Sequence, residues 1–237
     1  MVVIKRSSIV IVSVLILTVF TFVVCFGAIN QTTIGEASST GIKVVLDAGH
    51  GGVDNGVSGV NTRVTESRLN LEIVKKLEGY FIDAGIGVVL TRSSDAGLYG
   101  VATKNRKKKD MQKRSEIINK AEPNLVISIH MNNYSLASRR GAQVFYKKGS
   151  EEGKLLASCV QSSFNCMEQA SRTCNILTGD YYILNCSQIP SIIAECGFLS
   201  NPEDESLLIN EQYQEDISYA IFKGAIDYLS QTTEKVF

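Results

Sequence analysis

Two short apolar runs that each lead to a histidine place the strongest constraint on how this chain can fold. Residues 42–47 are mostly apolar and are followed by a glycine-flanked His50. Residues 124–129 form a second such run and lead directly into His130. The sequence contains no other histidine. Short runs rich in β-branched residues predict buried strands, so each histidine is expected where a strand ends.

Helical periodicities alternate with these apolar runs, which predicts an α/β fold. Leu69, Ile73, Leu77 and Phe81 recur at helical spacing in a helix that begins at residue 66, with Thr65 as its candidate N-cap. Further helices are predicted at residues 110–121, at residues 151–170 and from residue 213 onwards. Strands are predicted at residues 42–47, 86–91, 125–130, 141–146, 181–184 and 191–195. The expected architecture is a single α/β domain with a mostly parallel, roughly six-stranded twisted sheet flanked by helices.

The carboxyl edge of this sheet is the expected location of a site, because open α/β sheets bind ligands there. His50 follows the first predicted strand, His130 ends the third and Glu195 ends the last. Taken singly, a histidine at a strand end is more often a structural residue than a ligand. The functional interpretation therefore depends on both histidines reaching the same edge.

The residue types at this edge favour a hydrolytic zinc site. Such sites often use two histidines and one carboxylate, and leave the fourth position to water. Glu66 is the best third ligand because its helix directly follows the His50 loop; alone, it would only be a favourable charge at a helix N-terminus. Glu195 interrupts an apolar strand, where an unpaired carboxylate is costly, and is predicted to transfer protons. Asp47 or Asp54 is a candidate partner for the unligated nitrogen of His50.

Charge and cysteine content exclude some other classes. The 24 basic and 24 acidic residues cancel, so nucleic-acid binding is not expected. Residues 104–109 form a local basic run, which is either a solvated loop or a patch facing an anionic polymer. The six cysteines include no C-x-x-C pair and are expected mostly as small buried apolar residues. A disulfide from Cys174 to Cys159 or Cys166 is the alternative.

The N-terminal segment predicts export. Lys5 and Arg6 precede the apolar residues 9–28, and no charge occurs between Arg6 and Glu36. This length can span a bilayer with its N-terminus in the cytoplasm, whereas a cleaved signal peptide is the alternative. The expected organisation is a signal or membrane-anchor segment at 1–29, a linker at 30–41, a catalytic domain at 42–230 and a tail at 231–237.

Four ordered motifs resemble one enzyme family. They are VLDAGHGGVDNG at residues 45–56, Glu66, SIHMN at residues 128–132 and PSIIAECGFLSNPED at residues 190–204. Together they are similar to the zinc-dependent N-acetylmuramoyl-L-alanine amidases (amidase type 3), over residues 42–229. The resemblance implies that His50, Glu66 and His130 bind Zn²⁺ and that Glu195 is the catalytic carboxylate. It implies hydrolysis of the amide between muramic acid and L-alanine of peptidoglycan stem peptides.

The lesser motif positions carry weaker expectations. Asn132 and Arg114 are candidates for supporting the ligands or contacting substrate, although Arg114 and Asn119 are expected mainly in structural roles. Ala48 stands where the family usually has proline, so weaker zinc retention is expected.

The arrangement of the chain favours one subfamily. Only eight residues, 133–140, separate His130 from the fourth predicted strand, too few for the self-inhibiting helix of some relatives. A short chain with an N-terminal apolar segment and one bare domain resembles the germination-specific spore-cortex amidases. This implies preparation of muramic-δ-lactam formation and a location in the intermembrane space around the forespore. The expected partners are peptidoglycan, the membrane and an accessory or activator protein. A vegetative autolysin, a zinc peptidase and a non-catalytic peptidoglycan-binding module are the alternatives.

Overall fold

A computed structural model describes residues 40–170 and 172–233 of the chain. These residues belong to the larger of two compact units, which spans residues 34–237. The predicted signal or anchor at 1–29 and nearly all of the predicted linker lie outside the described residues. Within the described ranges, no helix is long and apolar enough to cross a membrane.

Strands and helices alternate along the described chain, as the sequence predicts. The strands are β1 (Lys43–Ala48), β2 (Gly87–Leu90), β3 (Leu125–Asn132), β4 (Gln143–Tyr146), β5 (Leu177–Thr178) and β6 (Ser191–Phe198). The helices are α1 (Glu66–Asp83), α2 (Arg106–Ala121), α3 (Glu151–Asn165), α4 (Tyr182–Asn185), α5 (Pro202–Leu208) and α6 (Glu211–Thr233).

One six-stranded sheet organises these elements in the order β2-β1-β3-β6-β4-β5. The pairs β1–β2, β1–β3 and β3–β6 are parallel, and β4 runs antiparallel to β6. The prediction of a mostly parallel sheet flanked by helices is therefore confirmed. Because β1, β3 and β6 are parallel neighbours, their carboxyl ends meet at one edge.

Helices cover both faces of the sheet, which explains why its strands are nearly continuous apolar runs. Val44, Leu46 and Ala48 point into a large core shared with α1, α3 and α6. The intervening Val45 points to a smaller core on the other face, beside Ile118 of α2. Alternate residues of β1 thus pack into two hydrophobic cores, one on each face of the sheet.

The strand predicted at residues 181–184 is wrong, because this segment forms the single helical turn α4. Ile183 and Leu184 are both buried although they are adjacent, whereas Tyr181 and Tyr182 are both exposed. That pattern is not the alternation of a strand, and short apolar runs do not distinguish strands from helices. The strand in this region is the two-residue β5.

Two helix starts also differ from the predictions. Helix α2 begins at Arg106 and not at residue 110, so part of the basic run forms its first turn. Thr65 occupies the N-cap position of α1, but its side chain makes no capping hydrogen bond. Backbone carbonyls of the preceding loop accept the hydrogen bonds of the first helical N–H groups instead. Glu66 N donates to Val57 O at 2.9 Å, and Ser67 N donates to Asn55 O at 3.1 Å.

Two strands are longer than predicted. Strand β3 continues two residues past His130 to Asn132, and β6 continues three residues past Glu195 to Phe198, so neither residue ends its strand.

The other differences concern helix ends and cysteines. Helix α3 ends at Asn165, five residues before the predicted end at 170, and α6 extends to Thr233, inside the predicted tail. Helix α5 was not predicted. Its N-cap is Asn201, whose side chain accepts hydrogen bonds from Glu203 N and Asp204 N. The five cysteines in the described part of the chain are free, so the alternative disulfide is absent there.

Candidate metal centre

The structure brings His50, Glu66 and His130 together at the carboxyl edge of the sheet. Glu66 Oε1 lies 3.1 Å from His50 Nε2 and 2.9 Å from His130 Nδ1. One candidate ligand atom from each residue lies within 4.8 Å of the other two. The two imidazole rings are 5.1 Å apart and nearly perpendicular, at 74°. These three side chains, drawn from a loop, a helix and a strand, form one compact donor set.

Two glycines of the loop after β1 make space for this set. A Cβ atom at Gly49 would lie 2.3 Å from the His130 ring. A Cβ atom at Gly56 would lie 2.3 Å from Glu66 Oε2, and Gly56 also has a φ of +65°. The glycine-rich character of the loop therefore reflects close packing of the other two members of the cluster against its backbone.

A tight turn orients His50. Its φ of +62° is in the left-handed region, which is uncommon for residues other than glycine and is often found at functional sites. Gly51 N donates to Asp54 O at 2.8 Å, and Asp54 N donates back at 3.2 Å. The turn returns Asp54 Oδ1 to 3.0 Å from His50 Nδ1, an ion-pair distance without the alignment of a hydrogen bond. Of the two aspartates predicted to support His50, Asp54 lies beside it.

Asp47 has a different role from the one predicted for it. Its carboxylate accepts hydrogen bonds from Thr91 Oγ1 at 2.6 Å and Ser128 Oγ at 2.5 Å, and it pairs with Arg114. Burial opposes its charge, but Arg114 and the two hydroxyls lower the pKa of Asp47 to about 2. Asp47 therefore joins β1, β2 and β3 to α2 beneath the site.

Arg114 holds the backbone that leads into His50. Its Nη1 donates to Ala48 O at 2.7 Å and its Nη2 donates to His50 O at 2.6 Å. These bonds fix the backbone on both sides of Gly49, and Arg114 also lines the cavity over the cluster. Asn119 is likewise structural, since its side chain donates to Ser115 O and Cys186 O.

Arg92 is a supporting residue that the sequence analysis missed. Its guanidinium donates to Ala48 O at 2.8 Å, Gly49 O at 2.9 Å and Ser67 O at 2.7 Å. Burial, with repulsion from Arg114, lowers the pKa of Arg92 to about 10. A usable signal was present, because Arg92 follows β2 at the same edge as the histidines. Its bonds join the His50 loop to the first turn of α1.

Asn132 is not brought to the cluster. Its side-chain Oδ1 accepts a hydrogen bond from Asn133 N at 2.8 Å, and its backbone oxygen accepts from Leu199 N at 3.0 Å. Among the contacts of the described residues, none joins its side chain to the three candidate ligands.

Glu66 is buried and fully partnered, with 2% of its surface exposed. Its Oε2 accepts from Val57 N at 2.9 Å and its Oε1 accepts from Met131 N at 3.2 Å. Burial acts to raise the pKa of Glu66, but the hydrogen bonds and charges of His130 and His50 outweigh it and hold the pKa far below its ordinary value. Burial likewise opposes protonation of His50, but Glu66 and Asp54 outweigh it and raise the His50 pKa. Glu66 is therefore an anion at neutral pH.

Glu195 lies next to the cluster, but its surroundings disfavour the charged form of its carboxyl group, in contrast to those of Glu66. It pairs with His130 in the register of β3 and β6. Its Oε2 is buried without a hydrogen-bond partner, and burial, reinforced by the charge of Glu66, raises the pKa of Glu195 to about 7 against the opposing histidines. A cavity of about 630 Å³ opens over these side chains. Its wall includes His50, His130, Glu195, Tyr99, Arg106, Lys107, Tyr181 and Tyr182.

This donor set fits a divalent metal ion. Two imidazole nitrogens and one carboxylate that stays ionised are typical protein ligands of a catalytic metal, which keeps one position for water or substrate. The cavity gives a substrate access, and Glu195, with its raised pKa, lines the same cavity. Fold and site together therefore define the class as a hydrolase built on a mostly parallel α/β sheet, with a donor set that fits a metal ion.

Comparison with known proteins identifies the family. Residues 44–227 match the profile of amidase type 3, described as N-acetylmuramoyl-L-alanine amidase, and the chain belongs to this family of peptidoglycan-degrading enzymes. It is 33% identical over 196 residues to the germination-specific N-acetylmuramoyl-L-alanine amidase of Bacillus subtilis, covering 81% of each chain.

Solved structures agree with this result. The CwlD amidase from Clostridioides difficile, solved in complex with the GerS lipoprotein, is 36% identical with a TM-score of 0.77. The match covers 80% of this chain and 98% of that one. An N-acetylmuramoyl-L-alanine amidase from Clostridium difficile 630 is 30% identical with a TM-score of 0.72, over 80% and 97% of the two chains. The recognition of the family and of its fold from sequence motifs is therefore confirmed.

Proposed function

We propose that His50, Glu66 and His130 hold Zn²⁺ and that the enzyme hydrolyses the amide between N-acetylmuramic acid and L-alanine of the stem peptide. The observation that carries this proposal is the single oxygen, Glu66 Oε1, at 3.1 and 2.9 Å from one nitrogen of each histidine. Bound zinc would acidify a water molecule and polarise the scissile carbonyl. Asp54 would keep His50 oriented through its other ring nitrogen.

Glu195 is assigned the proton transfers of this reaction. A pKa of about 7 allows the group both to accept and to release a proton near neutral pH. Its unpartnered Oε2 would take a proton from the attacking water as the oxygen adds to the carbonyl carbon. It would then give that proton to the alanine nitrogen as the carbon–nitrogen bond breaks. The products are a lactyl carboxylate on the sugar and a stem peptide with a free amino terminus.

The spore cortex is the proposed site of action. Its support is the similarity to a germination-specific amidase and to the CwlD amidase. In this role the enzyme would remove stem peptides and so prepare muramic-δ-lactam formation. The basic and apolar segment at residues 1–29 supports export to the intermembrane space around the forespore, whether it anchors the enzyme or is cleaved. The GerS lipoprotein in the CwlD structure supports an accessory protein as partner for this chain.

Metal content and product masses together test the reaction. Wild-type protein is expected to hold one zinc ion and to release peptides that begin with L-alanine from peptidoglycan. His130→Ala should lose both properties, whereas Asn133→Ala, an exposed neighbour, should keep them. Cleavage between amino acids would instead indicate a peptidase, and zinc-free activity would refute the metal site. Binding of peptidoglycan without release of any product would indicate a non-catalytic module.

Deletion of the coding sequence from the native organism tests the cortex role. Spores of the deletion strain are expected to lack muramic-δ-lactam while vegetative autolysis stays at its normal rate. Normal lactam content with slowed vegetative autolysis would favour a general autolysin.

A further inference from the structure

The first turn of α2 carries an unusual charge. Residues 106–109 are Arg-Lys-Lys-Lys, and no acidic residue occurs in this turn. Positive side chains are unfavourable at a helix N-terminus, where anions are stabilised. Asn105 at the N-cap has a left-handed φ of +56° and provides no side-chain cap. None of the ion pairs between described residues involves residues 104–109. Asp54 compensates this charge only in part: the pKa of its carboxyl is lowered, against burial, mainly by His50, with a smaller contribution from Lys107.

Arg106 is held in a defined position within this turn. Its guanidinium carbon lies 5.6 Å from the centre of the Tyr99 ring, and its Nε donates to Ala102 O at 2.9 Å. Tyr99 is fixed in turn, because its hydroxyl accepts a hydrogen bond from Val53 N at 2.9 Å in the His50 loop. The two terminal nitrogens of Arg106 make no hydrogen bond to the described part of the chain. A guanidinium with a free planar end suits bidentate binding of a carboxylate.

The cavity connects this guanidinium with the reaction centre. Arg106 and Lys107 line the same cavity as His50, His130 and Glu195. The buried, unpartnered Oε2 of Glu195 independently indicates that a ligand completes this cavity. Lysines 104, 108 and 109 are not part of its lining, so only two charges of the basic run face it.

We propose that Arg106, with Lys107 beside it, binds a carboxylate of the stem peptide close to the L-alanine whose amide is cleaved. This inference rests on the proposed function. In peptidoglycan the L-alanine is followed by D-glutamate linked through its γ-carboxyl, so the α-carboxylate of that residue remains free. The sugars on the other side of the scissile bond carry no such charge. The basic wall therefore receives the peptide half of the substrate and sets a preference for unamidated stems.

A matched pair of substrates tests this assignment. Both are N-acetylmuramoyl tripeptides with a C-terminal amide; one has the free α-carboxylate of D-glutamate, and the other has a carboxamide there. For the wild type, we expect kcat/KM to fall about 10- to 100-fold on amidation, mainly through KM, which is the effect of one charge-assisted hydrogen-bonded pair. Arg106→Gln should lower kcat/KM for the carboxylate substrate by the same factor and leave the carboxamide substrate unchanged.

Two further variants separate binding from structure. Lys108→Gln removes the same charge from the same turn outside the cavity and should preserve the wild-type preference. Arg106→Lys keeps the charge but loses the planar fork, so the preference should be intermediate. Equal losses on both substrates in Arg106→Gln would mean a structural role and overturn the proposal. A wild type without preference, or a preference that survives in Arg106→Gln, would overturn it as well.

Failure of the proposed reaction would be recognised separately. If the wild type hydrolysed neither substrate, the proposed function would fail, and calorimetry with the free stem tripeptide would decide the subsite. If the tripeptide bound more weakly to Arg106→Gln than to the wild type and to Lys108→Gln, the carboxylate subsite would still be supported. Equal binding to all three proteins would refute the subsite.

Discussion

The first turn of α1 and the middle of β6 each place a glutamate carboxylate next to the two histidines, but the surroundings of the two carboxylates favour opposite charge states. Glu66 accepts two backbone hydrogen bonds and contacts both histidines, whereas Glu195 Oε2 has no partner. The pKa of Glu66 is held far below its ordinary value, and burial raises that of Glu195 to about 7. Two carboxylates with separated pKa values can divide the roles of permanent anion and proton carrier.

The secondary structure explains this difference. A helix start and the loop before it have backbone N–H groups without regular partners, and Val57 N is used for Glu66. Glu195 lies inside a central strand, where its backbone pairs with His130 of β3 and Gln143 of β4. Met131 N, which lies where the register of β3 and β6 shifts, donates to Glu66, and no hydrogen bond among the described residues reaches Glu195 Oε2.

Replacing Glu195 with glutamine is expected to have the largest effect. The variant cannot accept a proton, so amide hydrolysis should fall about 10²- to 10⁴-fold. Bound metal should be unchanged, because the three proposed ligands remain. Rates of stem-peptide release and metal content by mass spectrometry check this. Wild-type turnover by Glu195→Gln would remove the assigned role.

Replacing Glu66 with glutamine should mainly weaken metal binding. Glu66→Gln replaces an ionised ligand by a neutral amide, and we expect metal affinity to fall about 100-fold or more, a larger loss than that for a supporting residue. Competition with a chromophoric chelator measures this affinity. If Glu66→Gln and Glu195→Gln lost metal equally, the contrast between the two carboxylates would be wrong.

The pH dependence of the unfolding free energy tests the contrast between Glu66 and Glu195 in the absence of substrate. The pKa of Glu195 is raised from 4.5 to about 7, so its contribution to stability is complete below 4.5 and is lost as pH rises through about 7. With a chelator present, Glu195→Gln should therefore exceed the wild type in unfolding free energy by about 2 kcal/mol at pH 8, and match it at pH 4. Urea unfolding at both pH values measures the difference. A constant difference at the two pH values would argue against the raised pKa.

Asp54 should give the smallest change. Asp54→Asn weakens the charge beside His50 Nδ1 but leaves every proposed ligand in place, so metal affinity should fall about 10-fold. The same chelator competition detects it. Asp83→Asn, at an exposed acidic residue that ends α1, is the matched control and should have no effect on affinity.

The sequence predicted the members of the cluster better than it predicted their support. His50, Glu66 and His130 were identifiable because the end of a strand and the start of a helix are marked by apolar runs and glycines. Arg92 was missed although it follows β2 at the same edge of the sheet, because its partners are backbone carbonyls and only the position of Arg92, not its bonds, can be inferred from the sequence. The helical turn α4 was missed for a similar reason, since only tertiary packing places Ile183 and Leu184 together in the core.

The contact between the His130 ring and Gly49 limits how this enzyme can change by mutation. One added carbon at Gly49 would overlap the ring of a residue 81 positions away in the chain. The position carries no functional group, yet in a saturation scan it should tolerate as few replacements as the histidines do. Substitutions in the loop after β1 and in β3 are therefore coupled. Whether a substitution in one of these segments is neutral depends on the residues present in the other.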